Sequence, residues 1–247
     1  MQIKNGNFWL GNCLELMRDI PDGSVDMVLC DLPYGTTACK WDTVIPFEPL
    51  WAEYWRVAKP NAAIVLTGSE PFSSFLRLSC IKNYKYDWIW NKVNKFTGSL
   101  NAKKMPMVDN ETVSVFYKKQ CCYNPQLRQG SYTTRKTNGK RSTATTNPVA
   151  DKIDVGRKVE GLQPKRILDI PSHNTTKEIF HPTQKPVALF EYLIKTYTNE
   201  GETVLDNCAG SGTTAIAAEN TNRKWICIEQ EPEYYNKACF RVMLHDQ

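Results

Sequence analysis

The sequence predicts an α/β fold, a doubly wound and mostly parallel sheet broken by one basic insert. Short apolar runs of strand type alternate with segments of helical periodicity. The alternation stops between about residues 118 and 178, and it resumes from Pro186 to the end. At 247 residues the chain is long enough for one substantial core with an inserted subdomain, not for two large independent domains.

In order, "SVDMVLC" (24–30) reads as a strand buried on both faces. "FEPLWAEYWRVAK" (47–59) reads as an amphipathic helix ended by Pro60, and "NAAIVLTG" (61–68) as a second buried strand. "PFSSFLRLSCIK" (71–82) is a shorter helix, after which "YDWIWNK" and "TVSVFYK" pair around a Gly-containing loop. Beyond the insert, "PVALFEYLIKTYT" (186–198) is a helix entered at a proline and "TVLDNC" (203–208) a strand. "TTAIAAEN" (213–220) is a helix, "KWICIEQ" (224–230) a strand, and "PEYYNKACFRVML" (232–244) a closing helix. The expected organisation is therefore 1–117, an insert at 118–178 outside the main sheet, and 179–247.

Charge is unevenly spread. From Lys118 to Lys177 thirteen Lys and Arg face four Asp and Glu, a local excess of +9 in a chain of net charge +5, which leaves −4 for the rest. Between Lys118 and Ala150 there is no acid at all, and Tyr123, Tyr132, Asn124 and Gln126 interleave with the cations. Such a stripe suits a polyanion, with Arg128, Arg135, Lys136, Lys140 and Arg141 as candidate nucleic-acid contacts; a solvated loop is the alternative. The nine cysteines contain no C-x-x-C pair, so neither a disulfide framework nor a metal site is expected. No run of about 18 apolar residues and no signal-peptide pattern occur, which predicts a soluble, cytoplasmic protein.

Two stretches carry chemistry. In "VLDNCAGSGTTAIAAEN", Gly210 and Gly212 occupy a strand-to-helix turn where a ligand can approach the backbone and meet the N–H groups of the new helix. Glu229, nineteen residues after Gly210, ends the next strand, where a carboxylate can accept from both hydroxyls of a ribose. A nucleoside-bearing cofactor follows. The same turn satisfies the relaxed G-x-G-x-x-A fingerprint, so a nicotinamide-dependent oxidoreductase shares this piece, yet it leaves the other stretch without a task. That stretch is "LCDLPYGTTACKWD" (29–42), where a buried strand stops on Asp31, Pro33 and Tyr34. Either Tyr34 anchors the core or it holds something flat.

"DLPYG", "HPTQKP" (181–186), "LDNCAGSGTT" and "ICIEQEPEYY", in this order, resemble the permuted beta group of amino-group DNA methyltransferases. The resemblance covers nearly the whole chain and thins only in the insert. It implies a Rossmann-like, circularly permuted methyltransferase sheet, S-adenosyl-L-methionine as cofactor, and a target-recognition role for the insert. It also implies cofactor contacts from Asp31, Thr183, Lys185, Asp206, Ala209, Gly210, Ser211, Gly212, Thr213, Thr214 and Glu229. By the same resemblance Asp31 and the Pro33 carbonyl accept the two amino hydrogens of a base flipped from duplex DNA, while Tyr34 stacks on it. An Asp in this motif resembles the adenine-N6 enzymes; cytosine-N4 and RNA adenine-N6 transfer stay open. Cytosine-C5 chemistry needs a cysteine after a proline, and none of the fourteen prolines precedes one. The group works on double-stranded DNA, often as homodimers and in some cases beside a cognate restriction endonuclease, in the cytoplasm of prokaryotic or phage-infected cells. The chain departs from the common pattern at Asn12, Leu32 and Asn207-Cys208.

Overall fold

The computed structural model of the protein describes residues 1–36, 42–133, 158–172 and 184–245. In chain order its elements are β1 (Gln2–Ile3), β2 (Gly6–Leu10), α1 (Cys13–Leu16), β3 (Val25–Cys30), α2 (Phe47–Val57), β4 (Ala58–Gly68), α3 (Phe72–Ser79), β5 (Tyr84–Asn91) and β6 (Asn110–Phe116). Then come β7 (Arg128–Thr133), β8 (Lys158–Leu162), β9 (Ile167–Asp169), α4 (Val187–Tyr197), β10 (Thr203–Asp206), α5 (Thr213–Asn220), β11 (Lys224–Glu229) and α6 (Pro232–Leu244). No described helix is long and apolar enough to cross a membrane.

The chain divides into two compact units, Met1–Asn124 with Arg166–Gln247, and Pro125–Lys165. In the first, nine strands form one sheet in the order β1-β2-β11-β10-β3-β4-β6-β5-β9. The run from β2 to β4 is parallel, and β6 lies antiparallel between β4 and β5. Side chains alternate across a strand, so each buried strand feeds two cores. Met27, Leu29, Ala63 and Val65 pack with α4, α5 and α6, whereas Val28, Cys30, Ile64 and Leu66 pack with α2 and α3. The two-faced covering is why these strands read as unbroken apolar runs.

Three segments depart from the sequence-based expectation. α2 ends at Val57, not at Pro60, because Ala58 is already extended (φ −74°, ψ 137°) and begins β4. Pro60 is tolerated in that strand because the β3–β4 register shifts between Val25/Ala58 and Met27/Ala63, so no ladder bond is asked of it. Residues 166–172 belong to the main unit, where β9 runs parallel to β5 at the sheet edge. Trp90 Nε1 donates to the Ile170 carbonyl at 2.7 Å, and Arg166 pairs with Asp87. The compact insert is therefore shorter than 118–178.

The third departure is β2, which no apolar run announces. It pairs with β11 through Gly6, set opposite Trp225. The indole covers the glycine, and a Cβ there would overlap the ring and sit 2.5 Å from the Trp225 carbonyl oxygen.

The second unit contains β7 and β8, antiparallel from Arg128↔Leu162 to Thr133↔Lys158. Arg128 Nε donates to the Gln163 carbonyl at 3.1 Å.

Gly6→Ala is expected to destabilise the fold by roughly 2–3 kcal/mol, since rigid ring and backbone atoms must move. Urea denaturation of the two proteins measures it.

Candidate active site

Parallel strands end at one edge, and between β10 and β3 the strand order reverses, the place where open α/β sheets bind ligands. A cavity of ≈ 420 Å³ opens there, with Asp31, Pro33, Tyr34, Gly210, Ser211 and Glu229 among its walls.

Asp31 leaves the end of β3 and accepts three hydrogen bonds from described side chains. Its Oδ1 accepts from Tyr34 Oη at 2.6 Å and from Thr67 Oγ1, and its Oδ2 accepts from Lys185 Nζ at 2.6 Å. A carboxylate offers about four lone-pair directions. Three are taken by described residues, and the fourth, on Oδ2, is left to a ligand. No described residue donates to the Pro33 carbonyl. The Tyr34 ring stacks on Phe72 with centroids 5.0 Å apart and planes 27° apart. Burial first, then the charges of Asp31 and Glu111, push the Tyr34 pKa well up, so its hydroxyl stays a donor. The loop that follows is held by Asp42, whose two oxygens accept from the Gly35 and Thr36 N–H groups, both at 2.9 Å.

Lys185 is buried and joins two acids. It lies 2.6 Å from Asp31 Oδ2 and 3.3 Å from Glu111 Oε2, while Lys92 meets Glu111 Oε1 at 2.8 Å. Burial by itself would lower the Lys185 pKa. The neighbouring carboxylates outweigh it and hold the ammonium above its ordinary range.

The glycine turn is built from the ends of β10 and β11. Gly210 and Gly212 both sit at positive φ, 51° and 74°. Glu229 accepts from the Gly210 N–H at 2.8 Å and from the Glu231 N–H at 2.9 Å, one bond on each oxygen, and burial raises its pKa. Each oxygen keeps a lone pair for a hydroxyl. Asp206 accepts from Cys208 N at 3.0 Å and from Thr214 Oγ1, and burial pushes its pKa up to about 6 against those two bonds.

Ser211 and Thr213 line the cavity with Asp206, Ala209 and Gly210, but Gly212 and Thr214 do not. Gly212 is a packing glycine, since a Cβ would come within 3.3 Å of both Ala238 and Val242. Thr214 is fully buried against Asp206. Thr183, Arg135, Lys136, Lys140 and Arg141 lie outside the described residues.

The departures from the family pattern at Asn12, Asn207 and Cys208 each have a local place. Asn12 caps α1 by accepting from Leu14 N at 2.9 Å. Asn207 is buried and accepts from Tyr54 Oη at 2.5 Å. Cys208 is on the cavity wall beside Cys13, whose pKa is lowered to about 7, chiefly by a hydrogen bond with Cys208.

A DNA methylase profile, that of the N6/N4 methyltransferases, matches residues 25–240. The chain belongs to this family. The methylase is 29% identical over 252 residues to the DNA adenine methyltransferase YhdJ of Escherichia coli (strain K12), covering 94% of this chain and 81% of that one. It is 25% identical over 248 residues to the type II methyltransferase M.HpaI of Haemophilus parainfluenzae, covering 94% and 72%. Among solved structures, its fold matches an M1.HpyAVI–SAM complex (TM-score 0.64, 24% identity, 97% and 100% covered). It also matches the cytosine-N4-specific PvuII DNA methyltransferase (TM-score 0.66, 19% identity, 97% and 87% covered). The methyl donor of the family is S-adenosyl-L-methionine, and Gly210 at positive φ on the cavity wall, with the half-satisfied Glu229, fits its nucleoside.

Sequence reading of the methylase passed over Thr67, Lys92, Glu111 and Arg241. Arg241 Nη1 braces the turn by donating to the Ser211 carbonyl at 2.9 Å. Its only sequence signal is a basic residue in the last turn of α6.

Because Asp206 holds its proton more tightly folded than unfolded, its contribution to stability is full below about pH 4 and is lost as pH rises through about 6. Wild type should therefore lose roughly 3 kcal/mol relative to Asp206→Asn across that window. Chemical denaturation of both proteins at a series of pH values checks the sign.

Proposed function

We propose that this methylase transfers a methyl group from S-adenosyl-L-methionine to N6 of an adenine flipped out of duplex DNA. The observation that carries this reading is the open lone pair on Asp31 Oδ2 beside the Pro33 carbonyl on the same cavity wall. An exocyclic amino nitrogen is a poor nucleophile because its lone pair is delocalised into the ring. Two acceptors that take its two hydrogens turn it toward tetrahedral geometry and aim the lone pair outward. Pro33 fixes the backbone that presents the second acceptor. The base cannot reach them inside the duplex, so it leaves the stack, and Tyr34, backed by Phe72, offers it a flat surface worth about 1–3 kcal/mol.

When bound, the cofactor supplies an electrophilic methyl group on a sulfonium. The chain's part is to hold it: Glu229 for the ribose hydroxyls, the Ala209–Thr213 turn and Lys185 for the amino-acid end, with Thr183 as a further contact. Asp206, Gly212 and Thr214 support that turn. The insert, with Arg128, Arg135, Lys136, Lys140 and Arg141, is the target-recognition element in this reading.

Cytosine-N4 transfer is the second reading, because the same acceptors serve either amino group and PvuII, with the same fold, is cytosine-N4-specific. Asp31 at the motif's first position favours adenine. Incubation with labelled S-adenosylmethionine and mixed-sequence duplex DNA, followed by digestion to nucleosides and mass spectrometry, should yield N6-methyladenine. N4-methylcytosine would replace it with the second reading.

Asp31→Asn should lower transfer by about 10²–10³-fold while the fold persists. Tyr34→Ala should cost about 10–100-fold with cofactor affinity unchanged. Wild-type rates in Asp31→Asn would sink the assignment of roles.

A further inference from the structure

The β5–β6 connection is an arm, not a turn. Beyond the last ladder pair, Asn91↔Asn110, the two chains stay together through Lys92 N donating to the Asp109 carbonyl at 2.9 Å. They meet again at Thr97 and Val108, whose N–H groups donate to each other's carbonyls at 2.8 and 3.0 Å. Gly98, in the left-handed region at φ 86°, then turns the chain into a single 3-10 turn, Ser99–Asn101. Lys104 and Met105 close the tip by donating to the Asn101 carbonyl at 2.8 and 3.0 Å.

Both the arm's composition and its exposure are unusual for a surface loop. Every residue from Val93 to Asn110 is exposed, yet the stretch holds Val93, Phe96, Leu100, Met105, Met107 and Val108. Leu100, at the tip, is 100% exposed. From Lys92 to Val108 there are four lysines and no acid. Lys92 is engaged with Glu111, while Lys95, Lys103 and Lys104 pair with no described carboxylate. Clustered apolar side chains left in water mark a surface that something covers.

The arm's position says what. β5 runs in the same direction as β4, since both are antiparallel to β6, so the arm leaves the sheet at the edge that carries Asp31. Its root, with Trp90, Lys92, Lys95 and Thr97, is part of the cavity wall. A partner that meets phosphate-seeking lysines, buries apolar side chains and delivers a base to that cavity is duplex DNA. A two-fold contact between copies of the chain would instead bring two lysine-bearing arms together.

We propose that the 92–109 arm docks on duplex DNA beside the cavity and that Leu100 enters the base stack, filling the space the extruded base leaves. This rests on the reading of duplex DNA as substrate. The lysines hold phosphates on either side of the wedge, and the two-chain base of the arm keeps the tip at a constant distance from Asp31.

The test uses the full chain, labelled S-adenosylmethionine, and a mixed-sequence duplex library, either perfectly paired or rapidly reannealed so that it carries mismatches. Leu100→Ala should lower transfer to the paired library on the order of tenfold and less on the mismatched one, where bases are already unstacked. Cofactor affinity should not move. Replacing Lys95, Lys103 and Lys104 together by Gln should weaken duplex binding and flatten its log–log salt dependence by about 0.9 for each phosphate no longer neutralised. All these side chains are exposed, so unchanged thermal unfolding certifies the variants. Equal rates of wild type and Leu100→Ala on paired DNA, or equal reductions on both libraries, would overturn the wedge. A change from dimer to monomer in sedimentation would make the arm an interface between copies. If the wild type methylated no DNA at all, the substrate reading would fail first and take the arm with it.

Discussion

The site hangs on one partly buried chain of charges, Asp31–Lys185–Glu111–Lys92. Its four members come from the end of β3, the entry to α4, the start of β6 and the end of β5. The chain therefore ties the two halves of the sequence together where the sheet's edge becomes a cavity. Two acids and two cations balance, which is the condition under which charges drawn out of water are tolerated. Removing any one member leaves a charge uncompensated, at a cost of up to about 3–5 kcal/mol where the charge left behind is fully buried. That is more than most single side chains contribute to a fold.

The network also decides what Asp31 can do. Tyr34, Thr67 and Lys185 take three of its lone pairs from three directions, so its carboxylate is fixed in orientation and has one place left to accept. Group transfer of this type needs positioning and aimed acceptors more than it needs a nucleophile from the protein. In the proposed role, a carboxylate free to rotate would serve the amino group poorly. Phe72 acts similarly on Tyr34 by backing one face of its ring.

Much of this was legible in the sequence because it rests on local rules. Buried parallel strands are unbroken apolar runs, helices start at prolines and glycines mark strand-to-helix turns; α5 follows its glycine turn and α6 begins at Pro232. The elements that periodicity missed are those whose pairing is tertiary. β2 is short and half polar, and is a strand only because Gly6 lets Trp225 lie flat on it. β9 is three residues long and is held by Trp90 and Arg166 bonding it to the main sheet.

The sequence alone determined the fold class and the order of the motifs, and it singled out Asp31, Pro33, the glycine turn and Glu229 as candidates, because each is a residue type at a fixed offset from a strand end. Only the tertiary structure decided which of the turn's residues face the cavity and which brace it. Thr213 faces inward while Thr214 turns to Asp206, a distinction set by about 100° of helix rotation and not by composition. It also brought Glu111 and Lys92 together with Lys185, and it placed the 92–109 arm at the edge of the sheet that carries Asp31. Those arrangements join residues far apart along the chain, and burial of charge is settled only when the sheet closes over them.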